Sequence, residues 1–392
     1  MKTYHDPRIA TRKPALGHLA LLLSAAIAAV SCLASEATAG LPSDQYTQIN
    51  LVSDLPDISQ IQDTNLVNAW GISFGPNSPF WINDNGSGLA TIYSVTNDST
   101  GTPQVTRQGL VVNIPTVGFP IGGAPSGQVF NGSANWNTNL FLFVGEDGVI
   151  SGWRPALGNN AEVLTNRTTA VYKGVTIFSN SMGELLLVAN FREATVDVYD
   201  GNTQLIGQFK DHNAPVGFAP FNIANLGGYI FVTYAKQDGA KHDDVPGKGN
   251  GLVDIFNPLT GKFRRFATGS AAGGNLSAFN SPWGLAISPS SFGVHANQLL
   301  VGNFASGTIM SFDTYGGFQG FLEGENDERI VIDGLWALIF GGGNGKTGSP
   351  DTLFFTAGPY HESHGLFGAL QPSSNTDPDE NKHHHHHGHD RD

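Results

Sequence analysis

The stretch AWGISFGPNSPFWINDNGSGLATIYSV, residues 69–95, decides the fold. A short apolar run with a glycine at its centre leads to a second run that ends in Asn83-Asp84. The pair Asn85-Gly86 follows, then a third run rich in β-branched and aromatic residues. Short apolar runs separated by Gly, Asn and Asp read as strands joined by tight turns. Asn-Gly suits such turns because both central positions need a positive φ. The unit returns along the chain. It appears as LFLFVGEDGVISGW (140–153), then as KGVTIF (173–178) with LLLVANFREATVDVYD (185–200). PFNIAN (220–225) with YIFVTYAKQD (229–238) and GLVDIFN (251–257) makes the next unit. PWGLAI (282–287) with QLLVGNFASGTIMSFD (298–313), and GLWALIF (334–340) with TLFFTAGPYHESHGLFGAL (352–370), complete the series. A period near fifty with several strands per repeat is what a β-propeller blade requires.

Gly71, Gly127, Gly174, Asn222, Gly284 and Ala337 mark the starts of six repeats, at intervals of 56, 47, 48, 62 and 53 residues. The spacing predicts an all-β, six-bladed propeller of four-stranded antiparallel blades over residues 40–370. An early strand, Tyr46–Val52, is available to seal the ring against the last blade and so remove two open sheet edges. The frequent glycine (50 residues) and sparse charge (14%) fit many short strands and tight turns. Trp70, Trp283 and Trp336 fall in the inner strands and read as blade interior.

Residues 1–39 read as an export signal. Lys2, Arg8, Arg12 and Lys13 form a basic start, Leu19–Val30 an apolar stretch too short to span a membrane, and Ala37-Thr38-Ala39 a small-residue cleavage site. This places the mature protein in the periplasm or outside the cell. Cys32, the only cysteine, sits in a loose lipoprotein box (Ala29-Val30-Ser31-Cys32) that offers lipid anchoring as the alternative. Cleavage after Ala39 leaves no thiol chemistry and no transmembrane segment in the mature chain. The whole chain has 20 basic and 33 acidic residues. This acidic balance argues against nucleic acid as a partner. Residues 371–392, QPSSNTDPDENKHHHHHGHDRD, have almost no apolar side chain and read as a disordered tail, its histidines able to hold Zn²⁺-like ions weakly.

In a four-stranded blade, the start of the inner strand and the turn between the second and third strands lie on one face of the ring. That geometry gathers Asn68, Ser126, Lys173, Asn222, Asn280 and Asp333 with the turns holding Asp84, Asn85, Glu146, Asp147 and Arg192. Asn85-Gly86 and Asp147-Gly148 are also ordinary turn pairs. Two loops break the repeat. AKQDGAKHDDVPGKGNG, residues 235–251, is too long and charged for a hairpin turn and carries Lys236, Asp238, His242, Asp243 and Asp244. AGPYHESHG, residues 357–365, carries His361, Glu362 and His364. Histidine beside carboxylate serves for Zn²⁺-like metals or for acid–base chemistry. No nucleophile elbow, P-loop or dinucleotide fingerprint stands in a fitting context.

The runs LVNAWGISFGPNSPFWINDNGSGLATIYS, VTYAKQDGAKHDDVPGKGNGLVDIFN, NSPWGLAISPSSFGVHANQLLVGNF and FFTAGPYHESHGLFG resemble an uncharacterised family of exported, mostly bacterial propellers with a viral member. The likeness covers roughly Tyr46 to Leu370. More distantly the chain is similar to NHL-repeat propellers and to calcium-dependent lactonases and phosphotriesterases. That resemblance implies a Ca²⁺ in the central channel, held by Asn68, Asn222, Asn280 and Asp333. Ca²⁺ takes about 6–8 oxygens, usually from several carboxylates, and this set supplies one. Two functions follow as expectations: a module that binds a small molecule or an envelope or extracellular protein on one face, and a hydrolase dependent on Ca²⁺ or Zn²⁺.

Overall fold

Six sheets arise from the six repeats. In the first five, each blade strand pairs antiparallel with its sequence neighbours. A computed structural model describes residues 43–181, 183–268 and 278–373. The export segment 1–39 with Cys32, most of the loop after Thr268, and the histidine tail beyond Ser373 lie outside the described residues.

Blade 1 comprises Ala69–Ser73, Phe80–Asp84, Leu89–Asn97 and Pro103–Arg107. Blade 2 comprises Pro125–Phe130, Phe141–Gly145, Val149–Trp153 and Glu162–Asn166. Blade 3 follows with Tyr172–Asn180, Gly183–Asn190, Thr195–Tyr199 and Leu205–Phe209. Blade 4 is built from Phe218–Leu226, Tyr229–Lys236, Gly251–Asn257 and Lys262–Ala267, and blade 5 from Pro282–Ile287, Leu299–Asn303, Ile309–Phe312 and Phe318–Phe321. Blade 6 takes three strands from the end of the chain, Leu335–Phe340, Leu353–Ala357 and Leu366–Pro372. Its fourth, Tyr46–Ser53, comes from the other end and pairs antiparallel with Leu366–Pro372. The last strand therefore runs two residues beyond Leu370, and the Ser373 amide donates to the Gln45 carbonyl at 2.9 Å. Among the described residues, the helical segments are three short 3₁₀ turns, and no helix is long and apolar enough to cross a membrane.

The inner strands share one irregularity. In every blade the register against the second strand slips near the start, leaving Trp70-Gly71, Ser126, Lys173-Gly174, Phe221, Trp283 or Trp336-Ala337 unpaired. A bulge turns its extra residue out of the ladder and bends the strand. Here it frees one side chain per blade just before each repeat mark. Glycine at the mark then lets the inner strands pack closely. A Cβ on Gly174 would lie 2.0 Å from Asn222 Oδ1, and one on Gly284 2.7 Å from the Trp336 carbonyl oxygen.

Between neighbouring sheets the core is apolar, as with Leu186, Val188, Val144 and Ile150 between blades 2 and 3. Several buried polar groups inside blades are paired. Asp63 accepts from Tyr93 Oη at 2.8 Å and pairs with Arg107 at 2.8 Å. Asp254 pairs with Arg265 at 2.5 Å, and His295 is held by Ser311 and the Phe321 carbonyl. Buried polar groups cost stability unless bonded, so these networks fix how each blade packs.

Candidate functional site: a polar mouth above an aromatic plug

The freed bulge residues meet across the ring. Trp70 of blade 1 stacks on Trp336 of blade 6 at 3.7 Å between ring centroids, and Trp283 of blade 5 lies 6.3 Å from Trp70. Phe221 of blade 4 is 5.9 Å from Trp336. Blades 1 and 5, and blades 4 and 6, are not neighbours, so these contacts are made at the axis. Phe304, just past the second strand of blade 5, stacks on the other face of Trp336 at 3.8 Å, and Phe191 of blade 3 packs 5.2 Å from Phe221. The three tryptophans, assigned by sequence pattern to blade interiors, thus form a plug that closes the axis.

Lys173, the bulge residue of blade 3, is 1% exposed. Its Nζ lies 5.0 Å from the Trp70 ring centroid, within cation–π range. It donates to Glu146 Oε1 and stands 3.6 Å from Asp243 Oδ1. Burial alone would lower the Lys173 pKa. Glu146, Asp243 and Glu362 outweigh it and raise the pKa, so the ammonium stays charged.

A chain of bonds runs from the plug to this ion pair. Trp336 Nε1 donates to Asn68 Oδ1 at 2.9 Å. Asn68 Nδ2 donates to Asn85 Oδ1 and to Glu362 Oε1, both at 3.2 Å, and Asn85 Nδ2 donates to Glu146 Oε2 at 3.0 Å. Asp243 Oδ1 also bonds His242 Nδ1 at 2.8 Å. Asp243 reaches the axis because residues 236–250 fold back on themselves, with Val245 N donating to the Lys236 carbonyl at 2.8 Å. Asp244, in the same loop, accepts from Ser281 Oγ. Burial raises the pKa of both Asp244 and Glu362. The Ser281 bond and Lys173 oppose it at Asp244; the charge of Glu146 adds to it at Glu362.

Glu362 is delivered by strained backbone. Tyr360, His361 and Glu362 have φ of 56°, 56° and 65°, a region L-residues enter at a cost. Asp333 props this loop by accepting from Tyr360 N at 2.8 Å.

Asn68, Asn85, Glu146, His242, Asp243, Asp244 and Glu362 therefore share one mouth. Other residues of the expected set stand apart. Asn222 lies beyond the plug, donates to the Trp283 carbonyl at 2.7 Å and lines a depression of about 200 Å³. Asn280 accepts from Gly247 N at 2.6 Å and anchors the long loop. Asp84 is fully buried inside blade 1, where desolvation raises its pKa well above the usual range. Asp147 accepts from Thr116 Oγ1 and from Val149 N in its own turn. Asp238 caps its loop by accepting from His242 N at 2.9 Å. His364 pairs with Asp54 at 2.7 Å, and His361 and Lys236 are exposed. Arg192 is half-buried and follows Phe191 of the plug.

Lys173 is among the inner-strand starts expected on this face; Phe191, Phe221 and Phe304 are the site residues the motifs did not single out. Their signal was present: each bulge residue immediately precedes a repeat mark, and Phe191 and Phe304 each follow the Asn that ends a second strand.

No family model matches the chain. Uncharacterized protein R648 of Acanthamoeba polyphaga mimivirus is 28% identical over 334 residues, 82% of this chain and 78% of that protein. Virginiamycin B lyase from Staphylococcus aureus aligns over 83% of this chain and 99% of its own, at 12% identity and a TM-score of 0.45. Regucalcin, a calcium-binding protein of Agrobacterium tumefaciens, aligns over 78% and 90%, at 13% identity and a TM-score of 0.43. Likenesses this distant carry no argument about activity.

One point of the mouth groups residue types that can ligate a metal. Single ligand atoms of Glu146, His242 and Asp243 lie within 4.8 Å of one another. Two of these three residues also face the Lys173 ammonium, through Glu146 Oε1 and Asp243 Oδ1. A divalent ion would compete with that ammonium for its ligands, so the residues at the axis do not fit a resident Ca²⁺.

Proposed function

We propose that the protein is a binding module that recognises a ligand or a protein partner through the polar mouth of the ring. The observation that carries this reading is the Lys173 ammonium held by carboxylates over the aromatic plug. It closes the axis and takes the place a metal would need. Glu146, Asp243, Asp244 and Glu362 surround this one lysine, and the acidic surplus favours a ligand group that is cationic. Asp243, with 67% of its side chain exposed, and His242 are the groups an incoming ligand meets first. The basic, apolar and small-residue segments before Gly40 support export to the periplasm or beyond.

The second reading, a metal-dependent hydrolase, is favoured by the Glu146, His242 and Asp243 grouping. Thermal denaturation and metal analysis of purified protein lacking the histidine tail separate the two. The binding-module reading expects no bound metal and no stabilisation by Ca²⁺ or Zn²⁺ in the native protein. It expects lower stability in Lys173→Met, where unneutralised carboxylates create a site that either ion then stabilises. It also expects spermine, as a cationic probe, to bind in a salt-sensitive way that Glu362→Gln weakens. A tightly held ion in the native protein, lost in Asp243→Asn, would establish the hydrolase reading in its place.

A further inference from the structure

The face opposite the polar mouth carries an apolar trough. Its deepest part, about 320 Å³, lies between blades 4 and 5, a size in the range of small-molecule sites. Phe231 and Phe266, packed edge to face at 5.2 Å, lie in it together with Ile255 and Leu299. Tyr229 and Ile287 form its rim at 60% and 42% exposure, a large apolar area left in water. Gly227 and Ile287 also line a neighbouring depression of about 250 Å³, which adds Leu226, Leu285, Ile339 and Phe340. Leu226, Leu285 and Ile339 in turn line the axial depression below the plug. Adjoining depressions thus share lining residues in a row from the edge of blade 4 to the axis.

One charged group marks its outer end. Arg264 lines the deep part and is exposed, and no hydrogen bond or ion pair engages its guanidinium among the described residues. Its neighbour Arg265 is committed to Asp254 and Asp211. Asp313, the carboxylate that also lines the deep part, is occupied by Tyr315 N, Gly317 N and Gln319 Nε2 at 2.8–3.0 Å. A free guanidinium at the end of a long apolar channel matches one ligand shape: an anionic head on an apolar chain. A guanidinium presents paired donors to a carboxylate, and the trough removes the chain from water.

We propose that this trough binds a single-chain carboxylate amphiphile, with its head on Arg264 and its chain running along Ile287 and Leu285 toward the axis. The site is independent of the polar mouth. Calorimetric titration of the whole protein with dodecanoate, below the concentration at which it forms micelles, tests it. One saturable site per chain is expected. Arg264→Gln, an exposed substitution that leaves the melting temperature unchanged, should weaken dodecanoate binding about tenfold or more while leaving 1-dodecanol binding unaltered. Ile287→Asp should remove both. The proposal is overturned if dodecanoate does not saturate, if Arg264→Gln binds it as the native protein does, or if dodecyltrimethylammonium binds equally well. Binding to phosphatidylglycerol vesicles without binding of monomeric dodecanoate would also overturn it, in favour of a membrane surface.

Discussion

Lys173 and Asp254 show how burial and charge compete at single residues. Burial works against the charge of both. Lys173 keeps its charge because three carboxylates oppose the desolvation. Asp254 does not escape it: burial pushes its pKa up to about 6, although Arg265 lies against it, and Asp211 adds to the rise. A raised carboxyl pKa means the folded state holds its proton longer than the unfolded chain does. The related stability is complete below the unfolded value, near 3.8, and is lost as pH rises through about 6. A shift of this size corresponds to roughly 3 kcal/mol. Urea denaturation between pH 4 and 6.5 should therefore show stability falling with pH, and Asp254→Asn should make the fall shallower. It should not abolish it, because burial raises Asp84, Asp244 and Glu362 in the same direction. An unchanged slope in the variant would show that Asp254 ionises normally.

At the scale of the element, the bulged inner strand does two jobs. The residue before each mark goes to the axis, and the mark itself lets the next strand approach. Gly174→Ala would set a Cβ 2.0 Å from Asn222 Oδ1 and 2.7 Å from Asn222 Cα. Asn222 cannot yield freely, because it donates to the Trp283 carbonyl and accepts from Ile223 N. The substitution should cost about 1–3 kcal/mol in chemical denaturation. Gly109→Ala, where nothing lies within 4 Å, should stay within about 0.5 kcal/mol. Equal effects at the two sites would contradict the packing role of the mark. The marks themselves were legible, because a period near fifty with Gly at a fixed phase survives strong divergence between repeats. The plug was not. The six bulge residues are Trp, Ser, Lys, Phe, Trp and Trp, four of them aromatic, and what brings them to the axis is a register slip that side-chain pattern does not encode. The mouth was half legible. Strand order assigned Asn85, Glu146 and Glu362 to one face, but whether Asp243 or Asn222 reaches the axis depends on loop folding and on a one-residue offset from the bulge.

For the molecule as a whole, the two ends of the described chain share blade 6. Tyr46–Ser53 supplies its outer strand, and Leu51 and Val52 are fully buried in the core that also contains Trp70, Trp336 and Phe367. Val52 is held on both sides, against Phe367 in one strand and Ile61 in the other. The central plug draws residues from blades 1, 3, 4, 5 and 6, so none of these five can leave the ring without uncovering it. Loss of the closing strand should therefore be felt by the entire propeller. Val52→Asp places a carboxylate in this core and should lower stability by more than about 3 kcal/mol, whereas Gln48→Asp, on the exposed side of the same strand, should change little. Circular dichroism reports on the sheets, and tryptophan fluorescence on six tryptophans, of which Trp70, Trp283 and Trp336 form the plug. In Val52→Asp their melting curves should shift together and remain a single transition. A fluorescence transition that stays in place while the sheet signal melts early would show that the ring survives without its closing strand.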